Sequence, residues 1–294
     1  MKLVVIGGTG RIGSRLVPYL GEQGHEVVAA SPSQGINTIT GEGLAQALDG
    51  AAVVVDVSNS PSYEYSGAHE FFDTSLRNLR AAELVAGVQH HVTLSVVGTD
   101  RLAESGYFRA KLVQEYLVRM SLIPYTILRA TQFFEFIESI ADAATDDNTS
   151  RIPPVLFQPM AMDDAAKAVA RAAVRPSSNE IAETGGPERF RMDELVRRVL
   201  AARSDPREVV TDPRARYFGA RLSKGTLVPG DGAVIGETRF DDWLRSSAAI
   251  KQSSRLAAPA DGPAGGTIPS SNTEPHHELH LTGIPAPGST GSTQ

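Results

Sequence analysis

Apolar and polar positions at the start of the chain predict a buried strand, a tight turn and a helix in immediate succession. Leu3 to Ile6 is an unbroken apolar run, as in a strand covered on both faces. Glycines at 7, 8, 10 and 13 follow it, and Ile12, Leu16 and Leu20 recur at helical spacing. A helix N-terminus exposes unpaired N–H groups and a partial positive charge, so this turn is predicted to hold a phosphate group.

The alternation of short apolar runs and helical stretches continues to about residue 130. Further strands are predicted at Val27–Ala30, Ile36–Thr40, Ala51–Val57, His91–Ser95 and Tyr125–Arg129, and helices at 68–86 and 107–120. Strands that alternate with helices form βαβ units, whose right-handed crossovers produce a parallel sheet. The predicted fold class is therefore α/β, a Rossmann-type doubly wound parallel sheet with its ligand crevice at the carboxyl ends of the strands.

After residue 130 the alternation loosens. The stretch 131–144 is predicted to run from a loop into a helix, and 151–159 is an extended segment interrupted by prolines. Helices are predicted at 165–174, behind Asp163 and Asp164, and at 192–202, since acidic side chains are favourable at a helix start. We predict a dinucleotide-binding core at 1–130 and a smaller C-terminal substrate-binding lobe at 131–250, interleaved with the core.

The end of the chain has a different composition. Residues 251–294 contain six Pro, six Gly and eleven Ser or Thr, and no Phe, Tyr or Trp. Such a segment buries too little apolar surface to offset its ordering entropy, so a disordered tail is predicted. The histidine cluster at 276–280 lacks the spacing that places two histidines on one helix face, and no metal site is predicted.

Composition and charge narrow the class of protein. The chain has 294 residues, 41% of them hydrophobic, no cysteine and a formal net charge of −6, so disulfides and thiol catalysis are excluded. It has no basic cluster, and nucleic acid is not expected as a partner. The N-terminal apolar run is too short for a signal peptide, and no run approaches the ~18 residues of a membrane helix. A cytoplasmic protein without membrane contact is expected.

A tyrosine and a lysine in one predicted helix are the candidate catalytic pair. Tyr107 and Lys111 are four positions apart and therefore share a helix face. An ammonium beside a phenol favours the phenolate, which predicts a lowered pKa for Tyr107 and proton exchange with a substrate oxygen. Ser95, at a predicted strand end, is placed to orient a carbonyl oxygen, with Thr99 as a weaker candidate. The alternative for Tyr107 and Lys111 is an ordinary pair on the helix surface, and the alternative for Ser95 is a hydroxyl that caps the strand end.

These residues together resemble the short-chain dehydrogenase/reductase family, in its atypical branch of NmrA-like and triphenylmethane-reductase-like NAD(P)-binding proteins. The family's glycine motif matches Gly7, Gly10 and Gly13, and its serine, tyrosine and lysine match Ser95, Tyr107 and Lys111. The stretches 123–129, 158–164 and 185–188 are also similar to this branch, so the resemblance covers about residues 1–245. It implies a nicotinamide cofactor, a small-molecule substrate and a homodimer as the assembly.

The residues after the second predicted strand bear on which dinucleotide binds. An Asp or Glu there bonds the ribose hydroxyls of NAD, whereas this chain has Ser31, Pro32 and Ser33. The missing carboxylate favours NADP, with NAD as the alternative, and the Arg11 side chain is a candidate for reaching the phosphate. Asp56 is expected either to border the cofactor or to be paired structurally. The residues predicted to border the cofactor are Gly7, Thr9, Gly10, Arg11, Ile12, Gly13, Ser31, Ser33, Asp56, Ser58, Asn59 and Lys111.

The segment after the Tyr125–Arg129 strand is predicted to meet the substrate. Thr131, Gln132 and Phe133 leave that strand at the ligand edge, and the aromatic residues at 133–136 suit either a flat substrate or a core between the lobes. The favoured function is an NAD(P)H-dependent oxidoreductase acting on a carbonyl, enone or quinone-like molecule. The resemblance also allows a non-catalytic dinucleotide sensor of the NmrA type, or an NAD-dependent epimerase or dehydratase.

Overall fold

Residues 1–247 are the part of the chain that this computed structural model describes. Its strands are β1 Lys2–Ile6, β2 Glu26–Ala30, β3 Val53–Asp56, β4 His90–Val96, β5 Tyr125–Ala130, β6 Thr145–Asp146, β7 Thr149–Ile152, β8 Leu156–Phe157, β9 Glu180–Gly185, β10 Phe190–Arg191, β11 Glu208–Thr211 and β12 Val234–Ile235. Its helices are α1 Gly13–Glu22, α2 Leu44–Leu48, α3 Tyr65–Ala86, α4 Gly106–Arg119, α5 Ile137–Ala143, α6 Met162–Val174 and α7 Met192–Ala202. A further helical segment covers 240–247.

A parallel sheet of seven strands forms the centre of the fold. Its order is β12-β9-β5-β4-β3-β1-β2, and every neighbouring pair in it is parallel. The predicted fold class is thereby confirmed. The chain adds β2 on one side of β1 and β3 on the other, so the strand order reverses beside β1. Ligands of open α/β sheets bind at such a reversal, outside the carboxyl ends of the strands.

Alternate residues of the central strands pack on opposite layers of helices. Leu3 and Val5 join the core that includes Leu16 of α1 and Val169 of α6. Val4 and Ile6 face the other layer, where the core includes Leu44 and Leu48 of α2 and Leu79 of α3. Because successive side chains of a strand point to opposite faces, an unbroken apolar run supplies both cores. The strand's burial on both faces fixes the position of the turn that follows it.

The strand predicted at Ile36–Thr40 is wrong. The Asn37 carboxamide oxygen accepts a hydrogen bond from the Ile39 amide, and the Gly41 amide donates to the Asn37 carbonyl. These local bonds satisfy the backbone within a turn, as Asn side chains commonly do. The segment therefore adds no strand outside β2, which is the edge of the sheet.

The chain after residue 130 contributes to the central sheet and also builds smaller ones. Strands β9 and β12 extend the central sheet, while β10 pairs with β8 and β11 pairs with β7 and β6. A second core of α5, α7 and the 240–247 helical segment contains Phe134, Phe157, Phe240 and Trp243. All described residues belong to one compact unit, and the division after residue 130 stays a prediction.

Two predictions concern residues outside the described part of the chain. These are the disordered tail at 251–294 and the histidine cluster at 276–280. Within residues 1–247, no helix has the combination of length and apolarity needed to cross a membrane.

Candidate functional site

A cavity of about 680 Å³ is lined by residues at or directly after the carboxyl ends of β1 to β5. Arg11 and Lys111 are the charged residues in its lining, and among the described residues no Asp or Glu contributes to it. A cavity with positive and no negative side chains suits an anionic ligand. The predicted site residues that line it are Gly7, Thr9, Gly10, Arg11, Ile12, Ser31, Ser58, Asn59, Ser95, Tyr107, Lys111, Thr131, Gln132 and Phe133.

Three predicted cofactor residues are absent from the lining, and each has a structural explanation. Gly13 begins α1 and lies against the backbone of Gly7 and Gly8. The Ser33 hydroxyl is 2.9 Å from that of Ser31, which itself lines the cavity. The Asp56 carboxylate accepts hydrogen bonds from the amide and hydroxyl of Ser58, at 2.9 and 2.6 Å, and from the Gln114 carboxamide at 3.0 Å. Asp56 is thus paired within the fold, and its bonds hold Ser58, which lines the cavity.

The glycine turn has the backbone geometry that the motif predicts. Gly7 has a φ of 77°, a left-handed conformation that costs side-chain-bearing residues energy. A Cβ on Gly13 would lie 2.2 Å from the Gly7 carbonyl oxygen, so only glycine allows α1 to begin this close to the turn. The amides of Arg11 and Ile12 make no hydrogen bond within the described residues, which leaves them available to a phosphate.

The Arg11 side chain lines the cavity and contacts an aromatic ring. Its guanidinium lies 5.0 Å from the centre of the Phe136 ring, a cation–π arrangement. Within the described residues it makes no hydrogen bond to Ser31 or Ser33. Arg11 therefore joins the glycine turn to the segment after β5.

Tyr107 lies in the first turn of α4, and its hydroxyl donates to the Asn59 carboxamide oxygen at 2.7 Å. Burial raises the pKa of Tyr107 above its ordinary value, and nearby Tyr63 adds to the rise. The predicted lowering of this pKa is therefore wrong for the protein without ligand. Lys111 is not among the groups that perturb Tyr107, because its ammonium is directed to other partners.

Lys111 is only 2% exposed. Its ammonium donates to the Leu94 carbonyl at 3.0 Å and to the Gln114 carboxamide oxygen at 2.5 Å, and it lies 4.9 Å from the centre of the Phe72 ring. Burial lowers the pKa of Lys111 to about 8, against the opposing effect of Asp56 and Glu115. Gln114 also bonds Asp56, so a chain of hydrogen bonds links the lysine to that carboxylate.

Ser95 lines the cavity, but its hydroxyl is bonded to a residue outside the lining. It donates to the Glu115 carboxylate at 2.6 Å, and Glu115 forms two hydrogen bonds with the Arg129 guanidinium, at 2.9 and 2.7 Å. In this arrangement the Ser95 proton is not available to a substrate oxygen. Thr99 donates to the Val96 carbonyl at 2.7 Å and does not line the cavity.

The segment after β5 supplies polar atoms without partners. The Gln132 side chain is 7% exposed, and within the described residues its amide nitrogen and oxygen have no hydrogen-bond partner, as is true of the Thr131 hydroxyl. Buried unpaired polar groups cost about 1–3 kcal/mol each, so the arrangement suits a ligand that pairs with them. Of the nearby aromatic residues, Phe133 and Phe136 line the cavity, whereas Phe134 packs in the core against Trp243.

Sequence reasoning missed several aromatic residues of the cavity. Tyr63 lies in the segment between β3 and α3, Phe108 follows Tyr107, and Tyr217 and Phe218 come from the segment between β11 and β12. All four line the cavity. They come from three separate stretches of the chain and form no recognisable motif, so only the folded chain brings them together.

Comparisons with known proteins agree with this geometry. A family model described as NAD(P)H-binding matches residues 7–176. The chain belongs to this family. The match begins at the glycine turn, directly after β1, and runs through α4 to the end of α6. The resemblance to the atypical short-chain dehydrogenases/reductases is confirmed.

One curated relative is the photosystem II assembly factor Ycf39 of Cyanophora paradoxa. It is 26% identical over 149 residues, which are 46% of this chain and 46% of that protein. The aligned region therefore spans less than half the length of this relative.

Solved structures share the fold over most of the chain. MoeE5, in complex with UDP-glucose and NAD, has a TM-score of 0.67 at 17% identity over 87% of this chain and 100% of that one. The UDP-glucose 4-epimerase of Thermus thermophilus, in complex with NAD, has a TM-score of 0.63 at 17% identity over 86% and 99%. A short-chain dehydrogenase/reductase superfamily protein of Agrobacterium tumefaciens, with NAD bound, has a TM-score of 0.63 at 19% identity over 87% and 98%.

Proposed function

We propose that this protein is an NAD(P)H-dependent oxidoreductase that transfers hydride to or from a carbonyl, enone or quinone-like small molecule. The observation that carries the proposal is the position of Tyr107 and Lys111, one helical turn apart at the start of α4. Both side chains line the cavity that the glycine turn also lines. A proton-transferring group and a cation thus share one cavity with a phosphate-binding turn.

The residues present fit a nicotinamide dinucleotide. The unpaired amides of Arg11 and Ile12 suit the pyrophosphate, Ser31 follows β2 at the position that suits the adenosine ribose, and Lys111 suits the second ribose. The unpaired amide of Gln132 offers a donor and an acceptor to a carboxamide or a substrate oxygen. When bound, the nicotinamide ring supplies or accepts the hydride.

Tyr107 has the role of proton donor in this proposal. Burial keeps the phenol protonated near neutral pH, so a proton is present for transfer to a carbonyl oxygen as hydride is added to the carbon. The Lys111 ammonium, one helical turn from Tyr107, holds the ribose next to the nicotinamide. Ser95 keeps its bond to Glu115 and is assigned no proton-transfer step.

We further propose a preference for NADP over NAD. The cavity lining near the end of β2 has the Ser31 hydroxyl and no carboxylate within the described residues, and Ser33 bonds Ser31 from outside the cavity. A carboxylate at this point would repel a 2′-phosphate, whereas hydroxyl groups donate to it. The absence of Asp and Glu from the lining supports the same preference.

The deciding experiment follows the absorbance of reduced nicotinamide with a panel of quinones, enones and aldehydes. We expect turnover by the wild type and a loss of at least about 100-fold in kcat for Tyr107→Phe, since general acid catalysis contributes about 10²–10⁴-fold. Lys111→Met should raise the KM for the cofactor as well as lower kcat. Turnover that survives in Tyr107→Phe would contradict the assigned role.

A second candidate is a non-catalytic dinucleotide sensor of the NmrA type. Two observations favour it: the Ser95 hydroxyl donates to Glu115, and the Tyr107 hydroxyl donates to Asn59. Different affinities for oxidised and reduced dinucleotide, with no turnover of any carbonyl, would support this candidate. A dinucleotide that co-purifies with the protein and does not exchange with added cofactor would instead favour an epimerase or dehydratase. The structural neighbours include enzymes of both kinds.

A further inference from the structure

Five aromatic side chains in the cavity form a closed circuit of ring contacts. The centres of successive rings are 5.3 Å apart for Tyr63 and Tyr107, 5.3 Å for Tyr107 and Phe108, and 6.1 Å for Phe108 and Tyr217. The circuit closes at 4.8 Å for Tyr217 and Phe218 and at 5.8 Å for Phe218 and Tyr63. Every member lines the cavity, and Tyr107 is one of them. The proposed proton donor is thus set in an aromatic surface.

Two members of the circuit are unusual for residues that serve only packing. Tyr63 is 56% exposed although it stacks on Phe218, with 21° between the ring planes. Phe218 has a φ of 45°, a left-handed conformation that is a rare and strained choice for a bulky side chain. Such strain is found where the surrounding structure holds a residue for function. The fold presents these two rings at the cavity at an energetic cost.

Aromatic surfaces bind planar ring systems selectively. Stacked and edge-to-face aromatic pairs contribute free energy beyond the area that they bury, and the contribution depends on a flat partner. A globular aliphatic molecule of the same polarity meets only the general hydrophobic effect. The Tyr63–Phe218 pair therefore distinguishes ligands by shape more than by apolarity.

We propose that the substrate is a planar carbonyl compound of at least two fused aromatic rings, which stacks on Tyr63 and Phe218 with its oxygen toward Tyr107. This inference rests on the proposed function, because it names the class of substrate for the same cavity. Tyr63 and Phe218 determine specificity, and Tyr107 acts on the bound molecule.

Two soluble probes with the same charged group separate shape from charge. Anthraquinone-2-sulfonate is a flat three-ring quinone, and camphorquinone-10-sulfonate is a globular aliphatic diketone. Their affinities for the full-length protein are measured by calorimetry at saturating NADP⁺. The variants are Tyr63→Leu, Phe218→Leu and Tyr63→Phe. The matched control is Tyr116→Leu, because Tyr116 is 58% exposed and lies on α4 outside the cavity lining.

We expect the planar probe to bind at least about 10-fold more tightly than the aliphatic one. Tyr63→Leu and Phe218→Leu should each weaken the planar probe by about 10-fold and leave the aliphatic probe unchanged. Tyr63→Phe and Tyr116→Leu should bind both probes as the wild type does. Because Tyr63 is largely exposed, its substitution leaves the core intact, so the test does not depend on the folding of the Phe218 variant.

Equal affinities for the two probes would overturn the inference, as would a Tyr63→Leu effect no larger than that of Tyr116→Leu. Failure of the planar probe to bind the wild type would also overturn the inference. Turnover is read separately from the oxidation of NADPH. Shape-selective binding without turnover of any carbonyl compound would support the planar-ligand specificity of Tyr63 and Phe218 and refute the proposed function, whereas turnover without shape selectivity would do the reverse.

Discussion

Gly13 and Gly21 lie on the same helix, yet their surroundings differ completely. A Cβ at Gly13 would meet backbone atoms at 2.2 to 2.7 Å, whereas a Cβ at Gly21 meets nothing within 4 Å. Gly13→Ala should destabilise the protein by about 1–3 kcal/mol, as overpacking does, and weaken dinucleotide binding by shifting the turn. Gly21→Ala should be neutral or stabilising by up to about 1 kcal/mol. Urea unfolding and cofactor titration of both variants test this, and equal effects would refute it.

The titration of Lys111 predicts opposite pH trends for activity and stability. Burial lowers the pKa of Lys111 to about 8, so above that pH it loses the ammonium charge to which the proposed function assigns the cofactor ribose. We expect kcat/KM to fall as the pH rises through about 8, since this ratio reports the free enzyme. The decline should be missing from the profile of Lys111→Met.

Stability should change the other way over the same range. Between about pH 8 and 10.4 the unfolded chain still holds the Lys111 proton that the folded chain has released. The unfolded state then binds more protons, so this residue's contribution makes the free energy of unfolding rise with pH in that window. Urea unfolding of the wild type against Lys111→Met isolates the contribution, and parallel curves for the two proteins would contradict it.

At the scale of elements, a buried ion pair joins β5 to α4. Arg129 and Glu115 are buried and form two hydrogen bonds, and Ser95 of β4 bonds the same carboxylate. This triad fixes the helix that carries Tyr107 and Lys111 against the sheet. The pair also raises the pKa of Arg129 through its hydrogen bonds to Glu115, so the guanidinium stays charged.

Removal of one partner of this ion pair should lower the free energy of unfolding. Arg129→Met leaves Glu115 buried without its partner, and we expect a loss of about 3–5 kcal/mol in the free energy of unfolding. The double variant Glu115→Leu with Arg129→Met should lose less than the single variant, because no uncompensated charge remains. Arg77→Met, which removes an exposed pair with Asp73, is the control and should change stability little. Additive losses in the double variant would refute this account.

At the scale of the whole molecule, ligand binding is linked to stability. The cavity takes residues from the ends of five strands and from segments as distant as Tyr63 and Phe218, so the folded state alone assembles it. A ligand at about 100 times its Kd then stabilises the fold by about 2.7 kcal/mol. We expect NADPH to raise the Tm more than NADH at equal concentration. Ser31→Asp should reverse that order, and an unchanged order would contradict the proposed preference.

Several features were predictable because they are local. The glycine motif after Ile6, the helical spacing of Tyr107 and Lys111, and the apolar runs of β1 and β3 each lie within a short stretch of sequence. Local patterns of this kind fix strands, helices and turns, and the handedness of βαβ crossovers then places the strand ends at one edge. The apolar pattern at Ile36–Thr40 predicts a strand that does not form, because the Asn37 side chain satisfies the backbone locally.

Neighbours along the chain are enough to specify the fold class, the glycine turn and the helix that carries the candidate catalytic pair. How those side chains are used depends on the tertiary structure. It directs the Ser95 hydroxyl to Glu115, raises rather than lowers the pKa of Tyr107, and gathers Tyr63, Tyr217 and Phe218 around it. Burial and hydrogen-bond partners set these properties, and both come from residues that are distant in sequence and adjacent only in the folded chain.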